Sequence, residues 1–406
     1  MKYILILLFL VFGIAQAEED FLKVSGDVRL TYADYQFEEG FHEDSAAGVV
    51  SGKLSVETVK WNNLYSKVSF TTVQGINQDK DKQSRTFIFN PDGESFSLLE
   101  EVYVGYIDSI VDVKLGRQEI TTPYIDSDDY FVTPNSFEAI TLRAKPTKEI
   151  VIDAGYVTRM SGTWDSWSDG STFNSMSKQS GIGDAYDIVG DQAVSYVGGT
   201  YTRGSHKLQL WDFYAHEMFN TAMVQYDYET KNYNAALQYS AKREVGKLAN
   251  DSSYKVHYDI YGAKVGANVM QNWSLGLAYT GISDDDSHHA FGSWGGMPEF
   301  AAGMGGINYF VTNLRDSNIY ALTSQHDLSG IAKGLRFQMK YAFYDLNADY
   351  ATWTGEPDGF DYMHAYGAQV NYDYSKKLTF KVSLAGRELD GGNKSQYLRV
   401  VSKYAF

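Results

Sequence analysis

The densest group of chemistry-bearing side chains in this sequence lies in TTPYIDSDDYFVTP, where Asp126, Asp128 and Asp129 are flanked by Tyr124 and Tyr130. Carboxylates and phenols this close, on a stretch without strand periodicity, suit a charged waist around a water column. Field lines concentrate where low-dielectric walls crowd the water, so a few fixed charges there govern which solutes pass. The same residues would also be at home in a solvated surface loop.

A second set has the opposite sign. Arg29, Lys53, Lys114, Arg143, Arg336, Lys340, Lys381, Arg387, Arg399 and Lys403 all fall on the polar phase of alternating segments. Facing an acidic loop, they would set up a transverse field that orients dipolar solutes and steers anions along one wall. Alternatively Asp27, Glu57, Asp112, Asp153 and Asp373, on the same phase, neutralise them one by one. In SDDDSHHAFGSW, Asp284, Asp285 and Asp286 stand beside His288 and His289. These are metal-ligand types, but adjacent histidines in a loop lack a fixed scaffold, so no metal or other cofactor is expected. Trp164 and Trp167 could stack on a sugar, though packing a loop down is the simpler role. No Gly-x-Ser-x-Gly elbow is present, and no catalytic residue is assigned.

The elements that must position these groups alternate with a period of two. In LRFQMKYAFYD, Leu335, Phe337, Met339, Tyr341 and Phe343 take one face, and Arg336, Gln338 and Lys340 the other. KLTFKVSLAGR and YNAALQYSAK repeat the scheme. About eighteen such strands are expected, near residues 22–33, 50–60, 64–74, 98–106, 111–118, 138–145, 149–159, 193–203, 207–215, 219–228, 233–243, 256–269, 273–280, 318–326, 335–345, 362–374, 378–387 and 396–406. Tight turns such as WNN at 61–63 and SKK at 375–377 alternate with long polar stretches near 75–97, 119–137, 160–192, 281–317 and 346–361. Short turns at one rim and long loops at the other describe an all-β transmembrane antiparallel barrel, with short periplasmic turns and long extracellular loops.

Two independent features agree. Pro91, Pro123, Pro134, Pro146, Pro298 and Pro357 all stay out of strand interiors, where proline would break a ladder. On the apolar phase, Tyr106, Tyr228, Tyr233, Trp273, Tyr374 and Phe406 border the short-turn rim, and Tyr32, Tyr156, Tyr279, Phe343 and Tyr362 the other. Only alternate residues need face lipid, which accounts for a mean hydropathy of -0.34. The final run, YLRVVSKYAF, is expected to pair with the first strand and close the ring.

The first residues, MKYILILLFLVFGIAQA, have a positive start, an apolar centre and a small-x-small end, so 1–17 is expected to be a cleaved signal peptide and 18–406 the barrel. The formal charge is -16, and loss of Lys2 makes it one unit more negative, which argues against nucleic acid as a partner. Without cysteine there is neither a disulfide framework nor a thiolate metal site.

LGRQEITTPYIDSDDYFVTPNSFEAITLRAKP, residues 115–146, resembles the segment of the Opr (OprD-like) outer-membrane porins in which a Gly-Arg-Gln strand end leads into the constriction loop. DSNIYALTSQHDLSGIAKGLRFQMKYAFYD, residues 316–345, is similar to the family in the Gly-Leu start of its strand. The resemblance implies an eighteen-stranded pore for passive, selective diffusion of small hydrophilic solutes, often carboxylates or amino acids. It implies residence in the outer membrane, contact with its lipid, and recognition of Tyr404-x-Phe406 by the barrel-assembly machinery, as a monomer or a homotrimer. One departure bears on selectivity: the family carries an Arg after the loop aspartate, whereas Asp129 is followed by Tyr130 and Phe131. A surface adhesin using its long loops is the alternative function, and an outer-membrane hydrolase a third. If the loop lines the waist, Asp128→Asn shifts reversal potentials in asymmetric salt toward anions; an unchanged potential removes that loop from the pore.

Overall fold

The protein is represented by a computed structural model that describes residues 21–38, 43–76, 79, 81–82, 86, 88–89, 93–128, 132–162, 171–180, 185–251, 255–283, 293–304, 316–347 and 360–406. The expected signal peptide lies outside the described residues, as do Asp129, Tyr130, Trp164, Trp167, Asp284, Asp285, Asp286, His288 and His289.

Wherever the sequence alternates, the backbone is extended. The strands are β1 (Leu22–Phe37), β2 (Ser45–Thr58), β3 (Leu64–Gly75), β4 (Phe96–Ile107), β5 (Val111–Gln118), β6 (Ser136–Ala144), β7 (Ile150–Ser161), β8 (Asn174–Ser175), β9 (Val194–Arg203) and β10 (His206–Ala215). They continue as β11 (Phe219–Glu229), β12 (Tyr233–Glu244), β13 (His257–Met270), β14 (Trp273–Ile282), β15 (Ser317–Asp327), β16 (Leu335–Asp345), β17 (Tyr362–Asp373), β18 (Leu378–Leu389) and β19 (Lys394–Ala405). All belong to one sheet whose ends meet. β8 is a two-residue strip beside Arg159 and Met160 of β7, so the wall itself has the eighteen long strands expected.

The outward phase is apolar: Leu30 is 53% exposed, Leu115 63%, Leu210 54% and Leu277 58%, the exposure of side chains that meet lipid rather than a core. The aromatic residues expected at the rims are on this surface, including Tyr32, Tyr106, Tyr156, Tyr228 and Tyr374. Toward the long-loop end the polarity inverts. Asp34 and Gln36 of β1 share the outward phase, while Ala33, Tyr35, Ala47, Val49, Val73 and Phe96 are buried inside against Ile88 and Phe89. This inversion explains why β1 runs to Phe37 and β2 begins at Ser45, beyond the expected ends at 33 and 50. Above the hydrocarbon the outward residues turn polar, and the alternation that marks a lipid-facing strand is lost.

At the opposite rim the connections are tight. Trp61 bridges to Leu64 around Asn62 and Asn63, whose φ of 49° and 69° make the two-residue turn that matches strand twist. Closure uses the two ends of the described chain. β1 pairs with β19 from Asp27↔Ala405 to Phe37↔Ser395, and the ladder continues in the reciprocal bonds Gly26 N to Phe406 O, 3.2 Å, and Phe406 N to Gly26 O, 3.0 Å. The Phe406 ring covers Gly26: a Cβ there would lie 2.6 Å from Phe406 Cζ and 2.2 Å from the Lys53 carbonyl oxygen. Gly26→Val is therefore expected to abolish the folded, heat-modifiable band in SDS gels. Gly48→Ala, whose Cβ would meet Ile76 at an ordinary 3.6 Å, should leave the band in place.

Candidate functional site

The stretch after β5 turns into the barrel. Residues 120–127 form a small hairpin: Thr122 N donates to Ile125 O at 2.9 Å, Ser127 N to Ile120 O at 2.8 Å, and Ile120 N to the Ser127 hydroxyl at 3.0 Å. Its tip crosses to the far wall, where the Tyr124 hydroxyl meets the Ser240 hydroxyl of β12 at 2.7 Å. The chain then returns, and the Val132 carbonyl accepts from Arg29 of β1 at 3.3 Å. Val132 has a φ of 96°, unfavourable for a β-branched residue, so the surrounding contacts hold it there.

A second inward segment supports the first. Residues 293–304 belong to the stretch 281–317, which sequence reasoning assigned to an extracellular loop; here they lie against the inner wall. Trp294 N donates to Tyr124 O at 2.7 Å and Asp126 N to Trp294 O at 2.9 Å, joining the two segments as neighbouring strands would be. The Trp294 indole stacks on Phe219 and donates to the Met176 carbonyl at 2.8 Å. Farther along, Gln238 of β12 donates to Pro298 O at 2.9 Å, Ala301 N to Thr280 of β14 at 3.0 Å, and Gly303 N to the Tyr344 hydroxyl of β16 at 2.8 Å. Glycine is needed where the segments touch: a Cβ on Gly295 would sit 2.3 Å from Asp126 O, and on Gly296 2.2 Å from Pro123 O.

The predicted waist residues therefore divide. Tyr124 is buried and anchors the loop instead of lining water. Asp126 is half-buried, its backbone oxygen accepts from Asn135 at 3.1 Å, and burial pushes its carboxyl above the ordinary range. Asp128 is half-exposed, and Asp129 and Tyr130 lie outside the described residues.

The predicted cations group by strand. Arg336 and Lys340 are on β16, Lys381 and Arg387 on β18, Arg399 and Lys403 on β19, and Arg29 on β1, a contiguous sector that continues to Lys53 on β2. Lys114 and Arg143, on β5 and β6, face the lumen from elsewhere: Lys114 sits over the Tyr103 ring, and Arg143 is paired with Asp153 at 2.7 Å. Within the sector, Asp27 holds Arg29 at 2.8 Å and Lys403 at 3.6 Å, and Asp373 holds Arg336 at 2.6 Å. Arg387 donates to the Ser395 hydroxyl at 2.8 Å. The neutralising carboxylates named from sequence thus account for some of these cations, while Lys340 has no partner among the described residues.

Sequence reasoning missed two groups. At the base of the hairpin, Lys53 contacts Glu100, reaches Glu119 at 2.5 Å and Glu101 at 3.4 Å, and Lys67 takes Glu101 at 2.6 Å. Both adjacent glutamates face inward because β4 bulges there, Ser69 pairing with Glu101 and Phe70 with Leu99. Two acidic residues in succession on an alternating strand, LLEEVYV, was the available signal. The second is Glu299, whose Oε1 is buried with no hydrogen-bond partner among the described residues. It borders a cavity of about 330 Å³ with Pro123, Gln225, Lys264 and Phe300. Lys242 acts on it from β12, with its ammonium over the rings of Phe219, Tyr258 and Tyr124 at 4.6, 5.4 and 5.8 Å.

Burial pushes the Glu299 carboxyl from its ordinary 4.5 up to about 7, against the pull of its backbone bond and of Lys242. The docked segment thus prefers the protonated acid, and docking weakens as pH rises from about 4.5 to about 7, then levels off. Channel current noise should increase over that window, and Glu299→Gln should flatten the dependence; a flat wild-type profile refutes the docking role.

A family model described as "outer membrane porin, OprD family" matches residues 109–374, more than half of the chain. No curated protein matches the sequence. Among solved structures, Pseudomonas aeruginosa OccK2 (OpdF) in complex with glucuronate is 16% identical, covering 95% of this chain and 98% of that one at a TM-score of 0.72. Pseudomonas aeruginosa OpdK with vanillate is 12% identical, covering 95% and 98% at 0.70. Acinetobacter baumannii OccAB3 is 12% identical, covering 95% and 99% at 0.75. At such identities the structures establish a shared barrel fold. They give the adhesin and hydrolase readings no support. On the strength of the family match, carried on this closed barrel with its inward hairpin, the chain belongs to the OprD family of outer-membrane porins, which are diffusion channels and not enzymes.

Proposed function

We propose that this porin favours small anionic solutes, carboxylates above all, and passes them along the β16–β1 sector opposite the inward hairpin. The observation that carries this reading is an imbalance of charge. On β15 to β19 and β1, Arg29, Arg336, Lys340, Lys381, Arg387, Arg399 and Lys403 share the lumen-facing phase with Asp27, Asp327 and Asp373. The excess is cationic even though the whole chain carries -16. Net charge describes the molecule; the field in a narrow water column is set by the charges that line it. Register places the cations at successive depths: Arg387 is opposite Ser395, Arg399 opposite Ser383, Lys381 opposite Val401, and Lys403 opposite both Arg29 and Thr379. An anion is then handed from one site to the next without a deep trap, as conduction requires.

The glucuronate and vanillate bound to the two structural neighbours are carboxylates, which supports the reading. In it, Asp126 and Asp128, with Asp129 and Tyr130, belong to the waist facing the cations, on a loop that Tyr124 anchors to the far wall. Residues 1–17 direct export and are removed after Ala17, and the mature barrel sits in the lipid of the outer membrane as a monomer or a homotrimer. Phe406, whose backbone completes the closing ladder, is read by the barrel-assembly machinery.

In planar bilayers under a salt gradient, the wild-type channel should show anion preference, and Lys381→Ala with Lys340→Ala should lower the anion-to-cation permeability ratio several-fold. Cation preference in the wild type, or a ratio untouched by the double substitution, overturns the proposal.

A further inference from the structure

Two rows of glutamines cross the lumen wall in register, and they differ in one respect. On β10 to β12, Gln209 pairs with Gln225 and Gln225 with Gln238. In this row every amide has a partner: Gln209 and Gln225 donate to Asp227 at 3.3 and 2.9 Å, and Gln238 donates to the Gln225 side-chain oxygen and to Pro298 O, both at 2.9 Å. Through Gln238 it holds the 293–304 segment. On β15 to β18, Gln325 pairs with Gln338, Gln338 with Gln369, and Gln369 with Ser383. Here Ser383 donates to Gln369 at 3.1 Å and Gln369 to Asn371 at 3.2 Å, but the amides of Gln325 and Gln338 have no side-chain partner among the described residues. Gln325 is exposed and Gln338 half-exposed, both on the lumen-facing phase.

We infer that this second row is a hydroxyl-binding track, and that the solutes it selects are polyhydroxylated carboxylates, the sugar acids. The inference rests on the anion-channel reading above and names the solute class within it. Each amide offers two donors and an acceptor, matching a hydroxyl that both gives and takes a hydrogen bond. Neighbouring strands repeat the offer about every 4.8 Å. The charges bracket the row. Along β16 the lumen-facing residues on either side of Gln338 are Lys340 and Arg336, and beyond Ser383 the row ends on Arg399. A carboxylate therefore finds a cation at either end of a solute whose hydroxyls lie on the amides. Because both amides are open to the lumen, a solute without hydroxyls leaves them bonded to water, so selectivity is modest, about fivefold per hydrogen bond.

The test compares glucarate with adipate, dicarboxylates of equal carbon number and charge, by reversal potentials in planar bilayers. The wild-type channel should pass glucarate about fivefold or more in preference. Gln325→Leu with Gln338→Leu should bring the ratio to one or below, with chloride conductance reporting that the variant has inserted. If the variant does not insert, the wild-type ratio alone decides. Adipate passing as well as glucarate, with anion preference intact, overturns the track and leaves the anion channel standing. Exclusion of both dicarboxylates together with chloride overturns the anion channel itself.

Discussion

Closure of the sheet is the constraint on which everything else depends. A strand in hydrocarbon has no water to satisfy its N–H and C=O groups, so each needs a neighbour on both sides, and a ring is the arrangement of strands that leaves no edge. Here the last join is the β1–β19 ladder, extended by the reciprocal Gly26–Phe406 bonds. With the ring complete, lipid-facing positions need only be apolar and lumen-facing ones only compatible with water. The tyrosines and phenylalanines of the rims, the polar lumen and the modest hydropathy all follow from that division.

The interior is not a uniform water-filled tube. From β6 round to β17 it is packed with apolar side chains, among them Phe137, Met160, Phe213, Phe219, Trp294 and Tyr344, gathered around the two inward segments. Those segments bring their own backbone polar groups into the lumen and satisfy them on wall hydroxyls and amides such as Ser240, Gln238, Thr280 and Tyr344. The charged sector lies largely on the other arc. A second apolar cluster, with Ala33, Tyr35, Ala385 and Tyr397 against Ile88, Phe89 and Val132, occupies that arc, so low-dielectric material lies close to the cations, where their field on a passing anion is strongest.

The ion pairs are therefore best judged by what they leave over. Arg29, Lys403 and Arg336 are partly compensated by Asp27 and Asp373, and Lys53 is committed to the glutamates of the β4 bulge. The exposed Arg336–Asp373 pair contributes little to stability, on the order of 1 kcal/mol or less, whereas Arg29–Asp27 and Lys53–Glu100 are largely buried, and removing one partner of either would strand a charge. Their consequence is positional: they fix which cations are tied down and which, like Lys340, keep their charge for solutes. The two glutamine rows make the same distinction among neutral groups.

Much of this was legible in the residues themselves. Period-two alternation identified each long strand and told lumen from lipid along it, because side-chain direction in a strand is a local property that lipid on one face makes visible. Short turns pair consecutive strands, so closure and the basic sector on β16 to β1 could be read from order alone. Where strands rise above the membrane, as β1 and β2 do, the signal faded with the lipid that imposed it. What only the tertiary structure decided is which loops enter the barrel and which charges meet. Tyr124 meets Ser240 across 116 positions, and Trp294 reaches Met176 across 118. No local pattern encodes such contacts; they exist because a closed wall brings distant loops into one confined space, where buried polar groups must find partners.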